Sequence, residues 1–154
     1  MPKQSAGILL YKFDKDDLKV LLVHPGGPMH VNRDIGVWSV PKGEYADGED
    51  ALSAAKREFE EETGQSIASK QFMSLGSVKQ KSGKIVIAWA AEGELDINNI
   101  VSNTCTIQWP PRSKRMIEIP EVDRAEWFDI ETAKEKINPA QIAFIDRLTE
   151  QLDV

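Results

Sequence analysis

The chain has 154 residues, enough for one domain with a real hydrophobic core. Its formal net charge of −6 argues against a chain that binds nucleic acid or an anionic membrane surface. The single cysteine, Cys105, excludes an internal disulfide and a cysteine metal cage and fits a reducing compartment, so a cytoplasmic protein is expected.

Ser5–Phe13 reads as a strand, Asp14–Asp17 as a turn and Leu18–His24 as the return strand of a hairpin. The first apolar run goes straight into the acidic turn, which speaks against a signal peptide, and no apolar run nears the length of a membrane span. Residues 25–36, PGGPMHVNRDIG, form a long Gly/Pro-rich loop of the kind that often carries function. His24 and His30 flank or occupy it, a weak metal signal better read as ordinary packing. A short strand at Val37–Val40 is expected to deliver Pro41, Lys42 and Gly43. Asp47 is the expected N-cap of the following helix, with Glu49 and Asp50 in its first turn. Ala51–Thr63 holds no Gly or Pro, and Gly64 is a natural stop. Leu52, Ala55 and Phe59 make its buried stripe, while Glu58, Glu61 and Glu62 share a second face.

Two more strands are expected at Gln71–Gln80 and Lys84–Glu92, around a turn at residues 81–83. The second is apolar at both alternating sets of positions, so both faces are expected to be buried. A polar loop then leads to a strand at Thr104–Trp109, followed by the densest basic cluster, Arg112, Lys114 and Arg115. Ile117–Pro120 and Ala125–Phe128 are short apolar pieces around Glu121 and Asp123. Glu131–Ile137 and Pro139–Leu152 read as helices, the latter striped by Ile142, Ile145, Leu148 and Leu152. Strands, helix, strands and helices in that order give a layered α+β or α/β domain spanning 1–154.

The three carboxylates on one helix face repel one another, which makes sense if a cation fills the gap. Hard divalent ions take carboxylate and phosphate oxygens. An acidic protein acting on a polyanion needs such a metal or a local basic patch. The acidic run alone is an ordinary solvated helix face. Together with Gly43, Glu49, Arg57 and Gly64 it is not: seven fixed positions coincide with probability on the order of 10⁻⁸ per start site at typical residue frequencies.

Gly43, Glu49, Arg57, Glu58, Phe59, Glu61, Glu62 and Gly64 resemble the signature of the Nudix hydrolases: Gly, five residues, Glu, seven residues, Arg-Glu, an apolar residue, any residue, Glu-Glu, any residue, Gly, an apolar residue. Gln65 departs from the final apolar position, where Ile67 is the substitute contact. The resemblance implies a mixed sheet sandwiched between helices, the α/β/α Nudix fold. It implies metal-dependent cleavage of a diphosphate linked to another group, with Mg²⁺ or Mn²⁺ held by Glu58, Glu61, Glu62 and the Gly43 carbonyl. It also implies a catalytic base among the glutamates, Glu61 or Glu58, or on a later loop. Glu121 is the later candidate, with Glu118 behind it. Arg57 is implied to pair with Glu49 and brace the loop rather than touch substrate. Pro41-Lys42-Gly43 resembles the diadenosine tetraphosphate hydrolase branch, with Lys42 placed for a phosphate. Arg112, Lys114 and Arg115 are the expected contacts for distal phosphates of a nucleotide substrate. Nucleoside triphosphates and nucleotide sugars stay open as substrates, as does a module that senses nucleotides without cleaving them. Trp38 and Trp109 read either as base-stacking residues or as core. No feature argues for an oligomer.

Overall fold

The computed structural model describes residues 4–154; Lys3, which precedes the first apolar run, lies outside them. Strand β1 (Gln4–Asp14) turns at Lys15 into β2 (Asp17–Pro25), and the two pair from Tyr11↔Val20 to Asp14↔Asp17. Beyond that register they diverge. The segment after the 25–36 loop fills the wedge: Ser39 bridges Val23, Pro41 O accepts from Ile8 N–H (3.2 Å), and β3 (Lys42–Glu44) pairs with Ser5–Gly7 of β1. The strand expected at Val37–Val40 is therefore only two isolated bridges, at Trp38 and Ser39. The regular ladder starts only at Lys42, after Pro41, which has no N–H to donate, and it runs along β1 alone.

Helix α1 (Ala51–Thr63) follows as expected, but its cap differs. Asp50, not Asp47, accepts from Ser53 N–H (2.9 Å), so Glu49 and Asp50 lie before the first turn. Residues 46–49 are instead a turn closed by Glu49 N–H on Ala46 O (3.1 Å), which frees Glu49 to face the helix. Gly64 ends α1 in the left-handed region at φ 77°. Gln65 takes up the polar side of that exit: its amide bonds Asp96 O and Asp96 N–H, pinning the 93–103 loop, while Ile67 supplies the apolar contact.

Strands β4 (Met73–Lys79) and β5 (Ile85–Glu92) form the second hairpin, and β5 runs parallel to β1. β8 (Val122–Asp129), longer than the apolar piece read from sequence, closes the other edge against β2. The sheet order is β4-β5-β1-β2-β8. Alternation along the strands divides the core. Ile8, Leu10, Leu21 and Val23 meet Ala54, Ala55 and Phe59 of α1. Leu9, Tyr11, Val20, Leu22, Val86, Ala88 and Ala90 meet the opposite layer. That layer is α2 (Ile130–Lys136), a 3-10 turn at Pro139–Gln141 and α3 (Ile142–Leu152). The expected single helix from Pro139 is thus split, with Phe144, Ile145 and Leu148 as its buried stripe. Both faces of β5 are covered, and the whole is an α/β/α sandwich.

Among the described residues, strands β6 (Thr104–Gln108) and β7 (Met116–Pro120) pair only with each other, as a separate ribbon. No helix among the described residues is long and apolar enough to cross a membrane.

Candidate active site

The site forms where the wedge, α1, the end of β2 and the start of β8 meet. Val23, Pro25, Val37, Ser39, Val40, Lys42, Glu62, Glu121 and Val122 line a cleft of about 180 Å³. The aliphatic wall comes from three separate segments, which no linear motif announces.

On the α1 face, Glu58 and Glu62 are buried and Glu61 is half exposed. Lys42 N–H donates to Glu62 Oε1 (3.2 Å). Glu58 lies against Gly43: a β-carbon there would stand 1.9 Å from Glu58 Oε2, so only glycine leaves room for this carboxylate. Arg57 donates to Glu49 Oε2 (3.1 Å), and Glu49 Oε1 accepts from Ala46 N–H (3.3 Å), tying loop to helix as expected. Arg57 also donates to Glu58 (2.9 Å) and Glu61 (3.2 Å). The gap expected to hold a cation is thus bridged by a guanidinium, and among the described residues no three carboxylates converge as a metal cage. The physical reason is the same repulsion: close carboxylates draw in the nearest positive charge.

Glu121 reaches this group from the far side of the cleft. Its carbonyl accepts from Gly26 N–H (3.0 Å), its N–H donates to Asn103 O (3.0 Å), and Asn103 N–H donates to Glu61 O (2.8 Å). Glu118 is exposed on β7 opposite Thr106 and is not brought in. Arg112, Lys114 and Arg115 are exposed on the β6–β7 turn and do not line the cleft. The extended chain from Glu121 to Arg115 is about 20 Å long. Trp38 is core, donating Nε1–H to Asp34 (2.8 Å), while Trp109 is half-buried after β6. His24 is buried with both ring nitrogens engaged, one by Asp123 and one by Arg33 O, as a packed histidine and not an open ligand.

The electrostatics match the packing. Burial first, then Glu121 and Glu58, push Glu62 up to about 8 against the pull of Lys42. Glu58 and Glu121 are raised by burial and by Glu61. Lys42 is lowered, chiefly by burial and then by Lys84. A set of oxygen donors that repel one another in a partly dry cleft fits a hard divalent cation, provided Arg57 yields Glu58 and Glu61 and keeps Glu49.

A pH dependence follows for the metal-free protein. Glu62 keeps its proton up to about 8 when folded, against an ordinary value of 4.5. Between those values the unfolded chain binds fewer protons, so folding stability falls as pH rises. Thermal melts in chelator are expected to give a lower Tm at pH 8 than at pH 5.5, with Mg²⁺ restoring more at pH 8. A Tm that rises across this window would contradict the buried protonated Glu62.

A family model described as NUDIX domain matches residues 1–148. Among solved structures, a C. elegans Ap4A hydrolase binary complex aligns at TM-score 0.66 and 22% identity, covering 98% of each chain. The NUDIX domain of Shewanella oneidensis NrtR complexed with ADP ribose aligns at TM-score 0.66 and 17% identity, covering 99% of this chain and 89% of that one. A MutT protein from Methanosarcina mazei Go1 aligns at TM-score 0.63 and 19% identity, covering 99% and 97%. These likenesses establish the fold. A search of curated proteins gives no match.

Proposed function

The chain belongs to the NUDIX domain family and is a pyrophosphohydrolase, and from that premise we propose that it hydrolyses dinucleoside polyphosphates. The observation that carries the reading is Lys42. It is a cation facing Glu62 and Glu121 in the cleft, in a Pro41-Lys42-Gly43 approach that resembles the diadenosine tetraphosphate hydrolases. The fold shared with an Ap4A hydrolase is consistent with it.

In this reading Glu58, Glu61 and Glu62, with the Gly43 carbonyl, hold Mg²⁺ or Mn²⁺. Such an ion would neutralise phosphate oxygens and make bound water more acidic. Lys42 meets a phosphate oxygen. Glu121, whose proton affinity is raised by burial and Glu61, takes the proton of the attacking water. Arg57 and Glu49 hold the 43–50 loop on the helix and touch no substrate.

Arg112, Lys114 and Arg115 supply a second cationic locus for the far phosphates of a long substrate. The ribbon sets this locus well beyond a diphosphate held at the glutamates, so it would act on the added charge of a longer polyphosphate through its field and not by contact. Because these side chains are exposed, the effect is modest. Arg112→Ala with Arg115→Ala is expected to raise KM for a dinucleoside tetraphosphate about five-fold and leave a nucleoside diphosphate sugar unchanged. Equal effects on both substrates, or none on either, would make the cluster a solvated turn and remove this support. Comparison of kcat/KM across dinucleoside tetraphosphate, nucleoside triphosphate and nucleotide sugar tests the reading as a whole, with the first expected to be highest.

A further inference from the structure

We propose that His24 is a positioning residue, a two-armed clamp that sets Glu121 through Asp123 and the 25–36 loop through the Arg33 carbonyl; its kinetic part rests on the function proposed above. His24 is 1% exposed. Its Nδ1 lies 2.8 Å from Asp123 Oδ1 and its Nε2 2.7 Å from Arg33 O. Asp123 Oδ1 and Arg33 O are both acceptors, each placed to receive a ring N–H. An edge-on contact with Trp38 at 5.1 Å fixes the ring plane.

The backbone is shaped for this contact. The β2–β8 register jumps from His24↔Arg124 to Pro25↔Val122, leaving Asp123 as the extra residue of a β-bulge. A bulge redirects a side chain and is common beside active sites. Here it aims Asp123 at His24. The neighbours of the pair along the chain, Val23, Pro25 and Val122, all line the cleft, and Glu121 is two residues from Asp123. Gly26 N–H on Glu121 O ties the same two segments just beyond the bulge. A buried apolar residue would pack this strand equally well but would hold neither segment.

The two arms separate by substitution. His24→Asn places an amide near the Nδ1 position, keeping Asp123 and losing Arg33 O. His24→Gln reaches Arg33 O and loses Asp123. With a dinucleoside tetraphosphate, His24→Asn is expected to raise KM about five-fold and keep kcat, and His24→Gln to lower kcat about ten-fold and keep KM. Hydrogen exchange at the His30 and Arg33 amides, bonded to Gly27 O and His30 O, is expected to speed up in His24→Asn only. Asp123→Ala, at a partly exposed position, is expected to match His24→Gln in kinetics and wild type in loop exchange. It carries the test if a His24 variant does not fold. Lower Tm with unchanged kcat, KM and loop exchange in the folded variants, or the same change in both, would overturn the clamp. If the wild-type protein hydrolyses no polyphosphate, the functional reading fails, and the exchange difference alone decides the clamp.

Discussion

Glu61→Gln is expected to lower turnover at least about 100-fold while leaving the fold intact, the scale seen when one charged group aimed at a reacting centre is removed. Glu61 is the most exposed of the three helix carboxylates, so the amide costs little in packing. Its oxygen can still accept from Arg57, which also stays bonded to Glu49 and Glu58. What is lost is charge. Glu61 is one cause of the raised proton affinity of both Glu58 and Glu121, so its neutralisation relaxes both. The metal-free variant is therefore expected to melt at or slightly above wild type, while calorimetric titration shows weakened binding of Mg²⁺. Near wild-type rate at limiting metal would remove Glu61 from the ligand set. A clear loss of metal-free stability would contradict the repelling cluster.

Gly43→Ala is expected to have an effect of the same size from a single methyl group. The new carbon would stand 1.9 Å from Oε2 and 2.1 Å from Cδ of Glu58. What it meets is the end of a side chain and not backbone, so the carboxylate moves and the β1–β3 pairing at Ala6↔Gly43 survives. The helix then presents its glutamates without Glu58 in place. Turnover is expected to fall about 100-fold with Tm lowered by only about 2–4 °C. A double-mutant cycle is the check: if Gly43→Ala acts by displacing Glu58, adding Glu58→Gln costs almost nothing more. Additive losses would show that Gly43 matters for another reason.

These two residues lie in the stretch most legible from sequence. Gly43–Gly64 is a local structure: helix formers between a loop and a glycine stop, with one apolar and one acidic stripe. Spacing on a helix converts directly into shared faces, so the grouping of Glu58, Glu61 and Glu62 could be read in advance, whereas the Arg57–Glu49 pairing was implied only by the resemblance, because Glu49 precedes the helix. The N-cap was misplaced because Asp47 and Asp50 are equally suitable chemically, and the turn at 46–49 that selects Asp50 has no strong local signal. The 37–40 segment misled because its strand-like residues face a wedge set by β1 and β2, which are remote in sequence. The β6–β7 ribbon was legible as a strand and an apolar piece, but its separation from the main sheet was not. That separation carries Arg112, Lys114 and Arg115 away from the cleft. The His24–Asp123 contact depends on a one-residue bulge between strands about a hundred positions apart, which periodicity alone cannot reveal.

The most direct test is turnover of a dinucleoside tetraphosphate with products identified, in Mg²⁺, in Mn²⁺ and in excess chelator. Split products carrying the nucleotides, formed with either metal and abolished by chelator, are the expected result. Undiminished turnover in chelator, or no hydrolysis of any polyphosphate with either metal, would contradict a metal-dependent site built on Glu58, Glu61 and Glu62.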